Sequence, residues 1–135
     1  MSVLTQATTT CIYATIKQAQ TNSGEFVNLP GLSFELPPHN AEFSAALVTL
    51  CVPNSYSNGN NNPGTSFNLD LNGISVASGS YTSGMQTDNG RKPFTLVVKV
   101  QLQAQTTFLQ AQWATVRGGP SIIDSFCSLS ALLCK

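Results

Sequence analysis

The stretch SFNLDLNGISV, residues 66–76, decides the fold class of this chain. Apolar and polar residues alternate up to Leu71, which is the pattern of a strand with one buried face. Asn72 and Gly73 follow at once, and this pair is a preferred sequence of the two-residue type I′ turn between antiparallel strands. Because the alternation resumes after the turn, the sequence predicts a β-hairpin here.

Similar patterns recur on both sides of this hairpin. They predict one half-buried strand within residues 8–19, two short strands within 26–36 separated by a Pro-Gly turn, a core strand over 45–52 ending at Pro53, and strands over 94–102, 107–117 and 122–133. The polar, glycine-bearing stretches 54–65 and 78–92 are predicted loops. Trp113 lies inside an apolar strand, so we expect it in the core. About eight to ten strands and no helix indicate an all-β sandwich or jelly roll.

The length, charge and hydrophobicity of the chain argue against several classes of function. The chain has 135 residues, which predicts one domain over residues 1–135. Only 9% of the residues are charged, and the six lysines and arginines are spread thinly, so we expect no nucleic-acid partner. No apolar run approaches the ~20 residues of a membrane span, which predicts no membrane insertion. The N-terminus lacks the features of a secretory signal, so the chain is expected to stay in the cytoplasm, to leave by a non-classical route or to use a signal encoded elsewhere.

The sequence contains no familiar catalytic or metal-binding motif. Its four cysteines show no C-x-x-C spacing and are interpreted as mostly structural, with buried free thiols favoured. A bridge from Cys11 to Cys127 or Cys134 stays open if the terminal strands are neighbours. His39 is the only histidine, and no two of the six carboxylates lie close enough in sequence to suggest an acid–base pair. We therefore expect no enzyme activity, no metal and no cofactor.

The only two arginines, Arg91 and Arg117, each lie beside glycine at the end of a polar loop or strand. A guanidinium offers a rigid fork of donors that can hold the oxygens of a sugar. A structural salt bridge, for example to Asp124, remains the alternative. Tyr56 and Tyr81 flank the two polar loops, where each can stack on a sugar or anchor its loop. The residues alone favour a carbohydrate-binding module slightly over a protein-binding one.

Several longer strings resemble a known family. They are LPGL at 29–32, VPNSYSNGNNNPG at 52–64, GRKPFTLV at 90–97 and QWATVRGGPSIIDSFCSLSAL at 112–132. These strings are similar to the N-terminal, TNF-like, fucose-binding domain of a bacterial two-domain superlectin. The resemblance is clearest between residues 52 and 131. It implies a TNF-like jelly-roll β-sandwich that forms a homotrimer, with calcium-independent sugar sites between neighbouring protomers.

The resemblance also implies a set of site residues. The family positions retained here are Tyr56, Thr82, Arg91 and Arg117. The departures are Ser66 and Ser83, where the family has tyrosines, Asp88 and Asn89, where it has a Ser-Thr pair, and Ile122, where it has a histidine. The loop before Arg91 is also about two residues shorter than in the family. The candidate carbohydrate-binding site comprises the four retained residues together with Ser66, Ser83, Asp88 and Asn89.

The sequence thus predicts a non-enzymatic lectin for fucosylated or related glycans on cell surfaces. Phe126, Leu129 and Leu132 of the last strand can pack about a trimer axis as well as within one subunit. The main alternative is a TNF- or C1q-like protein ligand or a fibre head that binds no sugar. A calcium-dependent lectin is a further alternative, since residues 88–90 can supply oxygen ligands, although they lack the spacing of a dedicated calcium loop.

Overall fold

Ten strands make up the regular structure of the computed structural model, which describes residues 10–83 and 90–135. They are β1 (Cys11–Ile16), β2 (Ala19–Thr21), β3 (Val27–Leu36), β4 (Ala45–Ser57), β5 (Gly64–Leu71), β6 (Ile74–Thr82), β7 (Lys92–Gln101), β8 (Thr107–Val116), β9 (Ser121–Ile123) and β10 (Cys127–Cys134). The described residues contain no helix, which agrees with the predicted all-β class. None of them forms a helix long and apolar enough to span a membrane.

The strands form two antiparallel sheets that pack face to face. In the first sheet, β4 lies between β10 and β7, β1 pairs with the far side of β10, and the end of β4 pairs with β9, which pairs with β2. The second sheet has the order β3, β8, β5, β6. Because the chain passes repeatedly from one sheet to the other, the fold is a jelly roll, as predicted.

The core lies between the inward faces of the two sheets. The predicted hairpin is formed by β5 and β6, and Asn72 and Gly73 have the positive φ angles, 50° and 87°, that a type I′ turn requires. Phe67 of β5 is fully buried, with its ring 4.7 Å from that of Phe94 and 6.4 Å from that of Trp113. Trp113 is therefore a core residue, as expected.

Two strand predictions were wrong because tertiary contacts extend strands across prolines. Residues 27–36 form one strand, β3, with a register shift between Asn28 and Ser33 instead of a turn between two strands. The buried side-chain amide of Gln110 donates to the carbonyl oxygens of Leu29 and Leu32 inside this irregular segment, at 3.2 Å each, and so stabilises it. Similarly, β4 continues past Pro53, where a second register shift accommodates the proline.

Two further boundaries also differ from the predictions. The region 78–92 is not all loop, because β6 continues to Thr82 as the partner of β5. The predicted last strand over 122–133 is divided into β9 and β10 by residues 124–126. Leu129 is fully buried in the core of one subunit, whereas Phe126 and Leu132 are 60% and 38% exposed.

All four cysteines are free thiols, as favoured, but only Cys127 is buried, since Cys11 is exposed and Cys51 and Cys134 are partly exposed. The terminal strands are indeed neighbours, but Cys11 lies opposite Leu132 and Cys127 lies opposite Ile16, at the other end of the strand pair. Burial raises the pKa of the Cys127 thiol to about 12, with a smaller contribution from Cys51. A thiol with so high a pKa stays protonated at neutral pH and is therefore unreactive, so Cys127 acts as a packing residue.

Candidate functional site

The loops at one end of the sandwich are fastened to one another by backbone hydrogen bonds. The amide of Asn58 donates to the carbonyl oxygen of Pro120 at 3.0 Å, which joins the β4–β5 and β8–β9 loops. The amide of Ser83 donates to the carbonyl oxygen of Pro63 at 2.9 Å, which joins the start of the β6–β7 connection to the same group. Side chains that are far apart in sequence therefore share one end of the molecule.

Three buried hydroxyl groups lie at the base of these loops and join the two sheets. Oγ1 of Thr65 lies 2.7 Å from Oγ of Ser57 and 2.6 Å from Oγ of Ser121. Ser57 and Ser121 belong to the first sheet, whereas Thr65 belongs to the second. Because buried hydroxyls are stable only when they are hydrogen-bonded, this cluster fixes the loops relative to both sheets. Sequence reasoning missed it, since only the fold brings these three residues together.

Arg91 is held by a planar ion pair with Asp124. Its Nη2 donates to Oδ2 of Asp124 at 2.8 Å, and its Nη1 donates both to Oδ1 of Asp124 and, at 3.0 Å, to the carbonyl oxygen of Asn54. The guanidinium carbon lies 4.8 Å from the centre of the Tyr56 ring, in cation–π contact. The structure therefore contains the salt bridge that the sequence left as an alternative role for Arg91.

The ion pair shifts the pKa values of both partners towards their charged forms. Hydrogen bonding to Asp124 raises the pKa of Arg91 above its ordinary value, and hydrogen bonding to Arg91 lowers the pKa of Asp124. Both side chains are nonetheless well exposed, at 48% and 40%. Exposed ion pairs add little to stability, so this one mainly orients the two side chains.

Arg91→Gln is expected to raise the pKa of Asp124 towards the ordinary carboxyl value, because the substitution removes the hydrogen-bonded guanidinium. In the wild type, the lowered pKa of Asp124 contributes stability that is present above the unfolded-state value of about 3.9 and is lost as the pH falls through the folded-state value. The titration of the Asp124 carboxyl carbon, followed by ¹³C NMR, measures the shift. Lys135→Gln, which removes a cation at the opposite end of the sandwich, should leave the titration unchanged. An unshifted midpoint in Arg91→Gln would show that the ion pair does not exist in solution.

An open depression of about 300 Å³ lies beside this ion pair. Asn54, Arg91, Asp124 and Ser125 line it. The depression presents a guanidinium, a carboxylate, an amide and a hydroxyl group at the surface, so it offers both donors and acceptors to a polyhydroxylated ligand. Sequence reasoning missed Asn54 and Ser125, and it considered Asp124 only as a salt-bridge partner. The signal available in the sequence was that Asp124 is one of only six carboxylates in a chain with few charged residues.

Arg117 occupies an unusual backbone conformation directly after β8. Its φ angle is +61° and that of Gly118 is +76°, so two successive residues are left-handed. The exposed Arg117 side chain donates from Nη1 to the carbonyl oxygen of Asn62 at 2.8 Å, and Asn62 also has a positive φ angle, 49°. A left-handed conformation costs a residue with a side chain about 1–2 kcal/mol. Such strain is typical of positions under functional constraint.

Thr82 and Ser66 lie on the same sheet as the strand that leads into Arg117. Thr82 pairs with Gly64, which pairs with Val116, so Thr82 is about 10 Å from the residue before Arg117. Ser66 lies two residues further along β5. Ser83 follows Thr82 directly, and Asp88 and Asn89 lie outside the described residues.

The candidate residues therefore form two groups. The first group, on the first sheet and its loops, contains Tyr56 and Arg91 together with Asp124. The second, on the second sheet, contains Thr82 and Arg117 with Ser66 and Ser83 nearby. Tyr81, which the sequence placed beside a loop, anchors β6 to β4 through a hydrogen bond of 2.9 Å between its hydroxyl group and Ser55.

Comparison with solved structures gives matches at low sequence identity. The Eiger TNF structure from S. frugiperda is 14% identical, with 93% of this chain and 92% of that chain covered and a TM-score of 0.50. The EclA C-terminal domain, a sugar-binding protein, is 13% identical, with 94% and 82% covered and a TM-score of 0.46. The chain spans 20% of the insecticidal delta-endotoxin Cry8Ea1 from Bacillus thuringiensis, which is 14% identical over 87% of this chain, with a TM-score of 0.49. At these identities, the match to Eiger TNF shows a TNF-like fold and nothing further.

The family comparison is more specific. No curated protein matches the chain. The family model described as "Bc2l-C, N-terminal domain" matches residues 16–132, which is well over half of the chain and includes both arginine groups. The chain therefore belongs to the Bc2l-C N-terminal domain family, a family of TNF-like lectin domains.

Proposed function

We propose that this protein is a calcium-independent lectin that binds fucosylated or related glycans at sites between the protomers of a homotrimer. The proposal treats residues 1–135 as one TNF-like lectin domain that acts outside the cell on glycans of cell surfaces. The observation that carries it is the presentation of Arg91, stacked on Tyr56, at the open depression of a domain from a lectin family. Tyr56 and Thr82 would orient the sugar, while the arginines donate to its oxygens.

The outward face of the first sheet supports assembly into a trimer. Across β1, β10, β4 and β7 this face carries the exposed apolar residues Tyr13, Leu132, Leu47 and Val97, of which Tyr13 and Val97 are 71% and 57% exposed. Lys99 is the single charged side chain among the outward positions of these four strands. A sheet face with a single charge and several exposed apolar side chains is typical of an interface.

One edge strand of the second sheet supports the same assembly. This strand, β6, pairs only with β5 among the described residues, and its sequence ISVASGSYT contains no charged residue. Edge strands of monomers are usually protected by charges or prolines, so a nine-residue edge strand without either suits contact with another protomer. A site between protomers would also explain why the two arginine groups lie on different sheets, since each protomer would then contribute one group to each site.

A glycan array in the presence of chelator, on protein whose trimeric mass is confirmed by light scattering, tests the proposal. We expect selective binding to fucosylated glycans, and at least about tenfold weaker binding for Arg91→Ala and for Arg117→Ala, because a hydrogen bond from a charged group contributes about 1.5–3 kcal/mol. Lys135→Ala removes the same charge at the far end of the sandwich and should bind as the wild type does.

The possible failures of this experiment are distinct. A folded trimer that binds no glycan would favour the protein-ligand or fibre-head alternative. Binding that disappears with chelator would indicate the calcium-dependent alternative. Unchanged binding in both arginine variants would show that the sugar site lies elsewhere. Selectivity for a sugar other than fucose would keep the lectin function and point to Ser66, Ser83 and the loop before Arg91 as the cause.

A further inference from the structure

Asp124 occupies the position on Arg91 that an anionic ligand would need. Both carboxylate oxygens of Asp124 accept from the end of the guanidinium, one from Nη1 and the other from Nη2. This is the paired geometry by which arginine binds the carboxylate of a ligand, and sulfate oxygens can accept in the same way. A sialylated or sulfated glycan would therefore have to displace Asp124 to obtain the same contact.

Donors for a neutral ligand remain on the same guanidinium. The contacts to Asp124 and Asn54 use three of the five N–H groups of Arg91, as far as residues 10–83 and 90–135 show. Sugar hydroxyls can accept from the remaining N–H groups and can donate to the oxygens of Asp124, which retain lone pairs. The ion pair therefore gives the depression a mixed donor and acceptor character that suits uncharged hydroxyl groups.

The charge of the depression depends strongly on the Asp124 carboxylate. Among the described residues that line the depression, Arg91 and Asp124 are the charged ones, and their charges are opposite. Without the Asp124 charge, the described part of this surface would be basic.

We propose that Asp124 determines specificity by restricting the Arg91 site to uncharged sugars and excluding sialylated and sulfated ones. The inference rests on the proposed lectin function and adds the class of glycan that the site accepts. In this site, Asp124 would repel anionic glycans while Arg91 and Asp124 together hydrogen-bond to neutral ones. Specific binding sites commonly combine repulsion of one ligand with attraction of another. Anionic glycans are excluded because the Asp124 carboxylate would repel them, and because Nη1 and Nη2 of Arg91 already donate to that carboxylate.

Asp124→Asn tests this inference, because it removes the charge with little change in size. The probes are a neutral fucosylated oligosaccharide and its sulfated and sialylated counterparts, titrated at low and at physiological ionic strength. We expect the wild type to prefer the neutral glycan. The variant should bind the anionic glycans at least about tenfold more tightly than the wild type does, and salt should reduce this gain, since screening weakens the attraction of an exposed cation.

Asp70→Asn is the matched control. Asp70 accepts from the amide of Gly73 in the hairpin turn, at the end of the sandwich opposite the depression, so its loss alters net charge equally but not this site. The control should keep the preference of the wild type. Circular dichroism confirms folding of each variant, and Asp124→Ala provides a second test if the asparagine variant does not fold.

Several results would overturn the inference while leaving the lectin function intact. They are equal binding of neutral and anionic glycans by the wild type, unchanged exclusion of anions by both Asp124 variants, and an equal gain of anion binding by Asp70→Asn. By contrast, a wild-type protein that binds no glycan of either class would remove the proposed function and the inference with it.

Discussion

Gly119→Ala is expected to destabilise the protein by about 3 kcal/mol, at the upper end of the cost of overpacking, and to abolish glycan binding. A Cβ atom at this position would overlap the carbonyl oxygen of Asn58 and would lie 2.8 Å from its carbonyl carbon. These are backbone atoms, so they cannot rotate away as a flexible side chain can. The substitution should therefore break the hydrogen bond from Asn58 to Pro120 and separate the β4–β5 loop, which follows Tyr56, from the β8–β9 loop, which carries Arg117.

Chemical denaturation of the variant, followed by circular dichroism, measures this loss, and titration with a fucosylated glycan measures the effect on binding. Gly24→Ala is the matched control, because a Cβ atom at Gly24 would meet nothing within 4 Å. It should change stability by less than about 1 kcal/mol. If Gly119→Ala were as stable as Gly24→Ala, the close contact between these two loops would be absent in solution.

Phe67→Ala is expected to cost about 3–5 kcal/mol of stability, the usual range for deleting a large buried aromatic side chain. Phe67 is fully buried and its ring stacks at 4.7 Å on Phe94 of the opposite sheet and at 6.4 Å on Trp113 of its own sheet. Alanine would leave a cavity between the rings of Phe94 and Trp113, which are fixed to different sheets and so cannot close it. A domain at the lower end of the ordinary stability range, about 5 kcal/mol, would be close to unfolding.

The midpoint of urea unfolding measures this effect, and an unchanged slope would show that the loss is one of native-state stability. Phe108→Ala is the matched control. Phe108 lies on β8 of the same sheet but is 47% exposed, so its removal should cost far less. Equal losses for the two variants would contradict the assignment of Phe67 to the centre of the core.

Local sequence patterns predicted the fold wherever a strand is specified by its own alternation and turn. The hairpin of β5 and β6 is the clearest case, because Asn72 and Gly73 define the turn and fix the register on both sides. The patterns failed where distant contacts decide the backbone. Pro53 suggested the end of a strand, but β4 continues because its last residues, Tyr56 and Ser57, find a partner in β9.

The candidate site, too, could be predicted from the sequence only in part. The arginines could be selected from the sequence because they are rare and lie beside glycines in loops, and the family resemblance supplied Tyr56 and Thr82. The contact of Arg91 with Tyr56 and the depression shared by Asn54, Asp124 and Ser125 could not be predicted. Arg91 is more than thirty positions from both Asn54 and Asp124 in the chain, and only the packing of β4 against the β6–β7 and β9–β10 connections brings these residues together.

The left-handed backbone at Arg117 has a consequence for directed evolution of this protein. Glycine tolerates that conformation without cost, so a screen for heat resistance alone would reward its appearance at position 117. The variants selected in this way would be more stable but would have lost one of the two arginines of the proposed sugar site. A library intended to keep the lectin working therefore has to be sorted for binding before it is sorted for temperature.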